Sequence, residues 1–512
     1  MVSLLRPARP HSQYVAFVFN WLRSYLQLGE PLFVHQLRWI VLLLSLDLTP
    51  VYRLLQWTYS EEEGRPGWNP CDLFRSLLLM TALGIESLAD WASLLRCTPL
   101  YAVLSGFHPD HVPGATTFHD FYDRLWDYEK REERRARRKR LLKRRKKPNA
   151  KLKKGEKLPP RHPQIVSRIA DRLMGDRPAG QHSEDILNQL LKECFVLPSA
   201  QHGLLGDTQQ LILGGDGSIY LSGANPNGRT KCNCREQGIY RCDCPRTYPD
   251  PDASWGWDSY RGQYVYGYTA YELTAVGSVY DLPTYLLFAA CQRHDSVAGL
   301  LALDKCYQLY PEFRVHAFLG DSAHDALPYY LYLQRHHTQP IIDLNARATG
   351  RRQLAGEFTL DELGRPVCPK GLTMLFDGAC PSRNRLKWVC PLAGRGKHTP
   401  ECACSTSAYG RTLYTKPDDD PRLHTMPPRG SAQWKELFAK RSGCERSNSR
   451  KKVDLKLMHT RIRCKHKRCV QIALAAMVQH LNAWFKEAQN GLGPAAAIYR
   501  LVDSLTLPSA AA

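Results

Sequence analysis

No apolar run in this chain is long enough to cross a bilayer. The best one, Trp39 to Leu46, stops at Asp47, far short of the roughly 20 residues that a span needs. The opening MVSLLRPARP leads into a mixed segment with Arg23 and no clear cleavage site, so no export leader is expected. Acid is also scarce. Against 70 Lys and Arg stand 49 Asp and Glu, a formal net charge of +21. That surplus implies a polyanionic partner, nucleic acid ahead of an anionic membrane. The 17 Cys are an odd number in a chain without export signals. They point to thiols and metal ligands in a reducing, cytoplasmic setting and away from a disulfide framework.

The 512 residues are 43% apolar and 23% charged, ordinary values for a globular protein of two to four domains. Residues 1–128 read as a helical domain. Asn69-Pro70 starts one helix, Gly84 ends it, and Thr116 and Thr117 stand where they would cap the last helix. Short helices with tight breaks suit helix-turn-helix docking on DNA, and equally a plain bundle. A basic linker or arm follows over 129–165. Twelve of the seventeen residues from Arg131 to Lys147 are Lys or Arg, a block that stays solvated and offers phosphate contacts. A helical connector covers 166–200.

Strand patterns begin in a core over 201–348: Gln210 to Gly223, Gln263 to Val276, Leu282 to Gln292, Val315 to Asp325, then QPIIDLNAR. A helix capped by Asp295 or Ser296 follows the third strand, and a second helix follows the fourth. Residues 349–430 form an irregular, Cys-rich insertion. A helix returns over 431–490, and 491–512 are a tail. The order predicts an α/β core with an antiparallel start and crossover connections after it.

Asp216, in GGDGS, is expected where the first strand runs out, and Asp321, in LGDSAHD, at the end of the fourth. Strand ends gather ligand groups in open α/β sheets, but Asp beside Gly is also common turn chemistry. Glu445 is the single glutamate of Phe438 to Asp454, a segment with six Lys and Arg. Phe438, Arg441, Glu445 and Lys452 are spaced by three, four and seven. At about 100° per residue on one helix these offsets fall within about 60° of each other. One face then presents an aromatic, a guanidinium, a carboxylate and an ammonium.

The string F-x2-R-x3-E-x6-K over Phe438–Lys452 resembles the Y-x2-R-x3-E-x6-K signature of a large branch of bacterial insertion-sequence DDE transposases, with Phe438 in place of the Tyr. GGDGS and LGDSAHD resemble the contexts of that family's two catalytic aspartates. The segment from Asp72 to Trp126 resembles the helical domain that precedes the core in such enzymes. The resemblance implies an RNase-H-like core in which Asp216, Asp321 and Glu445 hold two Mg²⁺ (or Mn²⁺) ions. Arg441, Lys452 and Phe438 would then meet DNA phosphates, and the partners would be transposon ends and target duplex, paired by a homodimer. A catalytically silent DNA-binding relative, or a nuclease on the same core, fits the same residues.

Cys232, Cys234, Cys242 and Cys244 make two C-x-C pairs within 231–245, a spacing that suits a structural Zn²⁺ held by four thiolates and lying next to Asp216. A second group, Cys368, Cys380, Cys390, Cys402 and Cys404 with His398, falls in the insertion; Cys368, Cys390, Cys402 and Cys404 are its candidate ligand set. His324 and Asp325 stand near Asp321, His324 as a supporting group and Asp325 as a helix cap.

Overall fold

A computed structural model describes residues 3–27, 34–146, 162, 164–345, 354, 357–392, 405, 407 and 410–506. The N-terminal part is helical: α1 (His11–Gln27), α2 (Val34–Ser45), α3 (Thr49–Leu55), α4 (Pro70–Ala82), α5 (Leu88–Cys97), α6 (Pro99–Ser105) and α7 (Ala115–Arg124). The expected start of α4 holds. The Asn69 side chain accepts from Cys71 N–H, and Pro70 occupies the first turn. The expected start of α7 does not. That helix begins earlier, behind Gly114, so Thr116 and Thr117 lie inside its first turn and no side chain caps it.

No single helix among the described residues is long and apolar enough to cross a membrane. The apolar run Gln36–Ser45 reaches spanning length only together with Thr49–Thr58, across a 60° bend, and Ile40, Leu42 and Leu44 are fully buried in the protein's own core.

The described part of the basic arm buries no side chain in its helix. It forms α8 (Arg131–Lys139), and beyond it Leu142 exchanges two backbone hydrogen bonds with Arg246 at 2.8 and 2.7 Å. The rest of the basic stretch, 147–161, lies outside the described residues. The connector supplies α9 (Ile165–Met174), α10 (Asp185–Leu191) and α11 (Leu197–Gln201).

The core is a six-stranded mixed sheet built from β1 (Leu211–Leu221), β2 (Ser254–Asp258), β3 (Gln263–Ala275), β4 (Leu282–Ala290), β5 (Val315–Gly320) and β6 (Gln339–Ile342). The path β6-β5-β1-β3 continues onto β4, with β2 on the same side of β3. β1, β3 and β4 run antiparallel in turn, whereas β5 lies parallel to β1 and β6 parallel to β5. All five expected strands are present. β2, in SWGWD, was hidden by its brevity.

Two helices, α12 (Asp295–Leu309) and α13 (Leu327–Arg335), cover one face. α14 (Ala432–Ala439) and α15 (Ser442–Ser449) cover the other: Trp434 and Cys444 pack with Val276, Ala317, Leu319 and Ile341. α16 (Lys465–Gln489) is buried along most of its length between the sheet and the N-terminal helices, and α17 (Ala496–Thr506) packs beside it. One continuous apolar core therefore runs from Tyr14 through Leu213 to Val502. The insertion, expected to be irregular, folds its own antiparallel sheet of β7 (Leu375–Cys380), β8 (Arg385–Val389) and β9 (Thr412–Thr415). In β8, Leu386 and Trp388 point inward, a period-two pattern too short to stand out.

Candidate functional site

Asp216 sits in the middle of β1, opposite Glu272 of β3, not where the strand ends. The glycines around it do not break the strand; they clear space for its neighbours. A Cβ on Gly214 would lie 2.2 Å from Cys444 Sγ, and one on Gly217 would lie 2.1 Å from Asp295 Oδ1. Asp321 follows the last residue of β5. In the parallel ladder Gly214 pairs with Leu319. Asp216 and Asp321, each two residues further on, therefore come level at the C-terminal ends of the paired segments.

The two carboxylates differ electrostatically. Burial raises the Asp216 pKa, the charge of Asp321 adds to that, and the Asn448 amide with the Arg441 and His324 charges only partly offsets it. Asn448 Nδ2 donates to Asp216 Oδ2 at 2.9 Å. For Asp321 burial also pushes upward, but the His324 ring, the Ala323 N–H and Arg441 outweigh it and hold the group below the usual range. His324 is 1 % exposed. Its Nδ1 lies 2.7 Å from Asp321 Oδ1 and its Nε2 2.8 Å from Tyr271 Oη. The ring thereby links the Asp321 carboxylate to the Tyr271 phenol.

The expected supporting place of His324 is thus seen, but Asp325 is no cap. Its side chain is fully buried and takes two hydrogen bonds from the Arg422 guanidinium, at 2.7 and 2.5 Å, tying the end of the insertion to the core. Its carboxylate also accepts from the Tyr330 hydroxyl and the Asn345 N–H, and α13 starts without a side-chain cap.

The helix carrying Glu445 is broken where the sequence predicted one continuous turn pattern. α14 ends at Ala439, α15 starts at Ser442, and the turns widen from Arg450 to Asp454. Phe438 therefore belongs to a different helix from Glu445. It stacks on Trp434 with ring centroids 4.5 Å apart, and the Arg441 guanidinium lies 5.8 Å from its ring. Arg441, Glu445 and Asn448 remain on one stripe, spaced four and three apart. Arg441 acts on both aspartates and Asn448 bonds one of them, so the stripe faces the β1–β5 junction. Glu445 itself is more than half exposed and accepts from Arg441 Nη2 at 2.6 Å. Lys452 lies within electrostatic reach of Asp216 and Asp258, with its Nζ 5.3 Å from the Tyr220 ring. Beneath the stripe, Lys451 Nζ donates to Glu272 Oε2 at 2.6 Å, and both side chains are buried.

Several groups here escaped the sequence reading. Asp295 does not cap α12. His294 does, accepting from Ser296 N–H, and this leaves the Asp295 carboxylate against Gly217. Burial, with the charges of Asp216 and Asp321, pushes Asp295 up to about 6 against the opposing His324 ring. Asn448 could have been found as the residue one turn beyond Glu445. Tyr271, Glu272 and Lys451 carried no signal apart from burial.

The four cysteines converge. Cys232 Sγ lies 3.6 Å from Cys242 Sγ, and Cys234 Sγ 3.6 Å from Cys244 Sγ. All four sulfurs fall within 4.8 Å of one another. A tetrahedron with about 2.3 Å metal–sulfur bonds has an edge of about 3.8 Å, so the cluster could bind zinc. Hydrogen bonds from the Cys244 N–H and the Cys232 thiol lower the Cys242 pKa to about 7, which favours a thiolate. The loop leaves β1 at Leu221, beyond Asp216, and touches the basic arm: Arg246 bonds both Leu142 and Cys242, and Tyr248 Oη donates to Lys143 O at 3.1 Å. Among the described residues no other group brings three ligand atoms so close; Asp216, Asp321 and Glu445 do not converge to that degree. In the insertion, Cys368 and Cys390 are buried and Cys380 is half-buried, while Cys402, Cys404 and His398 lie outside the described residues.

No curated protein matches the chain. Residues 34–124, from α2 to the end of α7, match the family model described as a transposase domain (DUF772), and this match supports a transposase-family protein.

Proposed function

We propose that the chain is a DDE-type transposase that cleaves transposon ends and transfers the strands into target DNA. The observation that carries this reading is the meeting of Asp216 and Asp321, level on adjacent parallel strands, with the Arg441–Glu445–Asn448 stripe packed over them. The strand order β4-β3-β1-β5-β6, antiparallel then parallel, with acids on β1 and after β5 and a third on a later helix, supports an RNase-H-like core. The transposase-domain match over residues 34–124 supports the same reading from the other end of the chain.

The donors fit hard divalent cations: they are carboxylate oxygens, and two of them oppose each other's charge. Asp216, Asp321 and Glu445 would hold two Mg²⁺ or Mn²⁺ ions, which when bound supply charge stabilisation to the attacking and leaving oxygens of a phosphoryl displacement. The protein's own groups do the rest. Asn448 and His324 fix the orientation of Asp216 and Asp321. Arg441, braced on Phe438, grips a phosphate with its planar fork, and Lys452 adds a point charge. Glu445 exchanges its Arg441 contact for the site when Arg441 turns to phosphate. Pairing of two ends by a homodimer belongs to the same proposal.

The test is Mg²⁺-dependent nicking of DNA bearing the segments that flank the reading frame, wild type beside Glu445→Gln. Specific 3′-OH ends made by the wild type alone support the reading. Tight binding without cutting, equal in both proteins, would favour a silent DNA-binding relative.

A further inference from the structure

The helical N-terminal part carries a basic feature of its own, apart from the basic arm. A cleft of about 560 Å³ lies between the N-terminal tail, the stretch before α4 and the start of α7. Arg6, Arg65 and Arg124 line it, with Trp68 and His111 stacked on each other at 4.6 Å.

Arg124 is 6 % exposed. Its hydrogen bonds run from Nη1 alone, to Thr58 O and to Thr58 Oγ1, and its guanidinium lies 3.8 Å from the Tyr59 ring centroid. No carboxylate pairs with it among the described residues. A cation this buried is costly unless negative charge is supplied. Arg6 and Arg65 have no carboxylate partner among the described residues either; the Arg6 guanidinium lies 5.9 Å from the Trp68 ring. Gly114 and Thr117 line the same cleft, so the first turn of α7, which no side chain caps, opens onto it. The positive end of a helix dipole favours an oxyanion. One acid, Asp120, stands at the rim, exposed and 3.8 Å from Arg135. Three guanidinium groups against one carboxylate leave the cleft positive.

We propose that this cleft binds a phosphate group, and that in the working protein the phosphate belongs to the DNA backbone. The DNA assignment rests on the transposase reading; the affinity of the cleft for phosphate does not.

The experiment uses the full-length chain. Duplex binding is followed by fluorescence anisotropy over a salt series for wild type, Arg6→Gln and Arg65→Gln, and melting is followed with and without inorganic phosphate. Each variant is expected to lower the slope of log K against log salt by about 0.9 for one lost phosphate contact. Affinity should fall several-fold, equally on matched and scrambled duplexes, because phosphate contacts carry no sequence information. Inorganic phosphate should raise the melting temperature of the wild type more than that of Arg65→Gln. Arg65 is exposed, so this variant tests the cleft even if Arg124→Gln fails to fold. Phosphate stabilisation with unchanged slopes would keep the phosphate site and overturn its link to DNA. Unchanged slopes with no phosphate effect would overturn the site. Neither readout requires strand cleavage, so a failure of the cleavage reading is seen separately, in the nicking assay.

Discussion

Lys451 Nζ stands 2.6 Å from Glu272 Oε2, with both side chains 1 % exposed, and Glu272 is the register partner of Asp216. This pair fastens the helix that carries Glu445 to the strand beside Asp216. Ser447 Oγ adds a bond to Glu272 at 2.6 Å. Removing one partner leaves a buried charge uncompensated. Lys451→Met should therefore cost about 3–5 kcal/mol in urea unfolding, and Lys451→Met with Glu272→Leu should recover part of that loss. An unchanged unfolding midpoint in the single variant would contradict the anchoring role.

Gly214 lies under Cys444 with no room for a methyl group. Gly214→Ala should push α15 off β1 and draw Asn448 from Asp216, at a stability cost of about 1–3 kcal/mol. Nicking should fall at least tenfold while duplex affinity stays within twofold. The pairing of nicking rate and anisotropy on one preparation checks this.

Asp295 gives a pH dependence. Its folded pKa, raised to about 6, lies above the unfolded value of about 3.9. The folded state then binds more protons between these values, so this group lowers stability as pH rises from about 4 to about 6. In the metal-free protein Asp295→Asn should be more stable than wild type by roughly 1–3 kcal/mol above pH 6.5, with the gain vanishing towards pH 4. Urea midpoints across that range in chelator would show it; a gain that grows on acidification would reverse the sign and refute the assignment.

The cysteine loop is expected to hold one zinc per chain and to clip the basic arm. Cys232→Ser with Cys242→Ser should abolish zinc in elemental analysis. Because Arg246 joins Cys242 to Leu142, the variant should also become sensitive to trypsin between Arg138 and Lys146. Zinc affinity should fall as pH falls, because each ligating thiol must lose its proton to bind the metal. Intact zinc content in the double variant would remove the site.

The sequence by itself determined the five principal strands, the helical N-terminal part and the convergence of the four cysteines. Strand alternation and the C-x-C spacing are local patterns, readable wherever they occur. It also marked Asp216, Asp321 and Glu445, and the first two are brought together. Other outcomes were decided only in three dimensions. Asp216 is in mid-strand because its flanking glycines make room for Cys444 and Asp295, contacts from distant segments. Asp295 and Asp325 read locally as caps, yet one faces the carboxylates and the other pairs with Arg422 nearly a hundred residues away. The helix is broken between Ala439 and Ser442, so Phe438, packed with Trp434 beside the sheet, sits on a different helix from Glu445. Local spacing sets which residues share a face; long-range packing sets what that face meets.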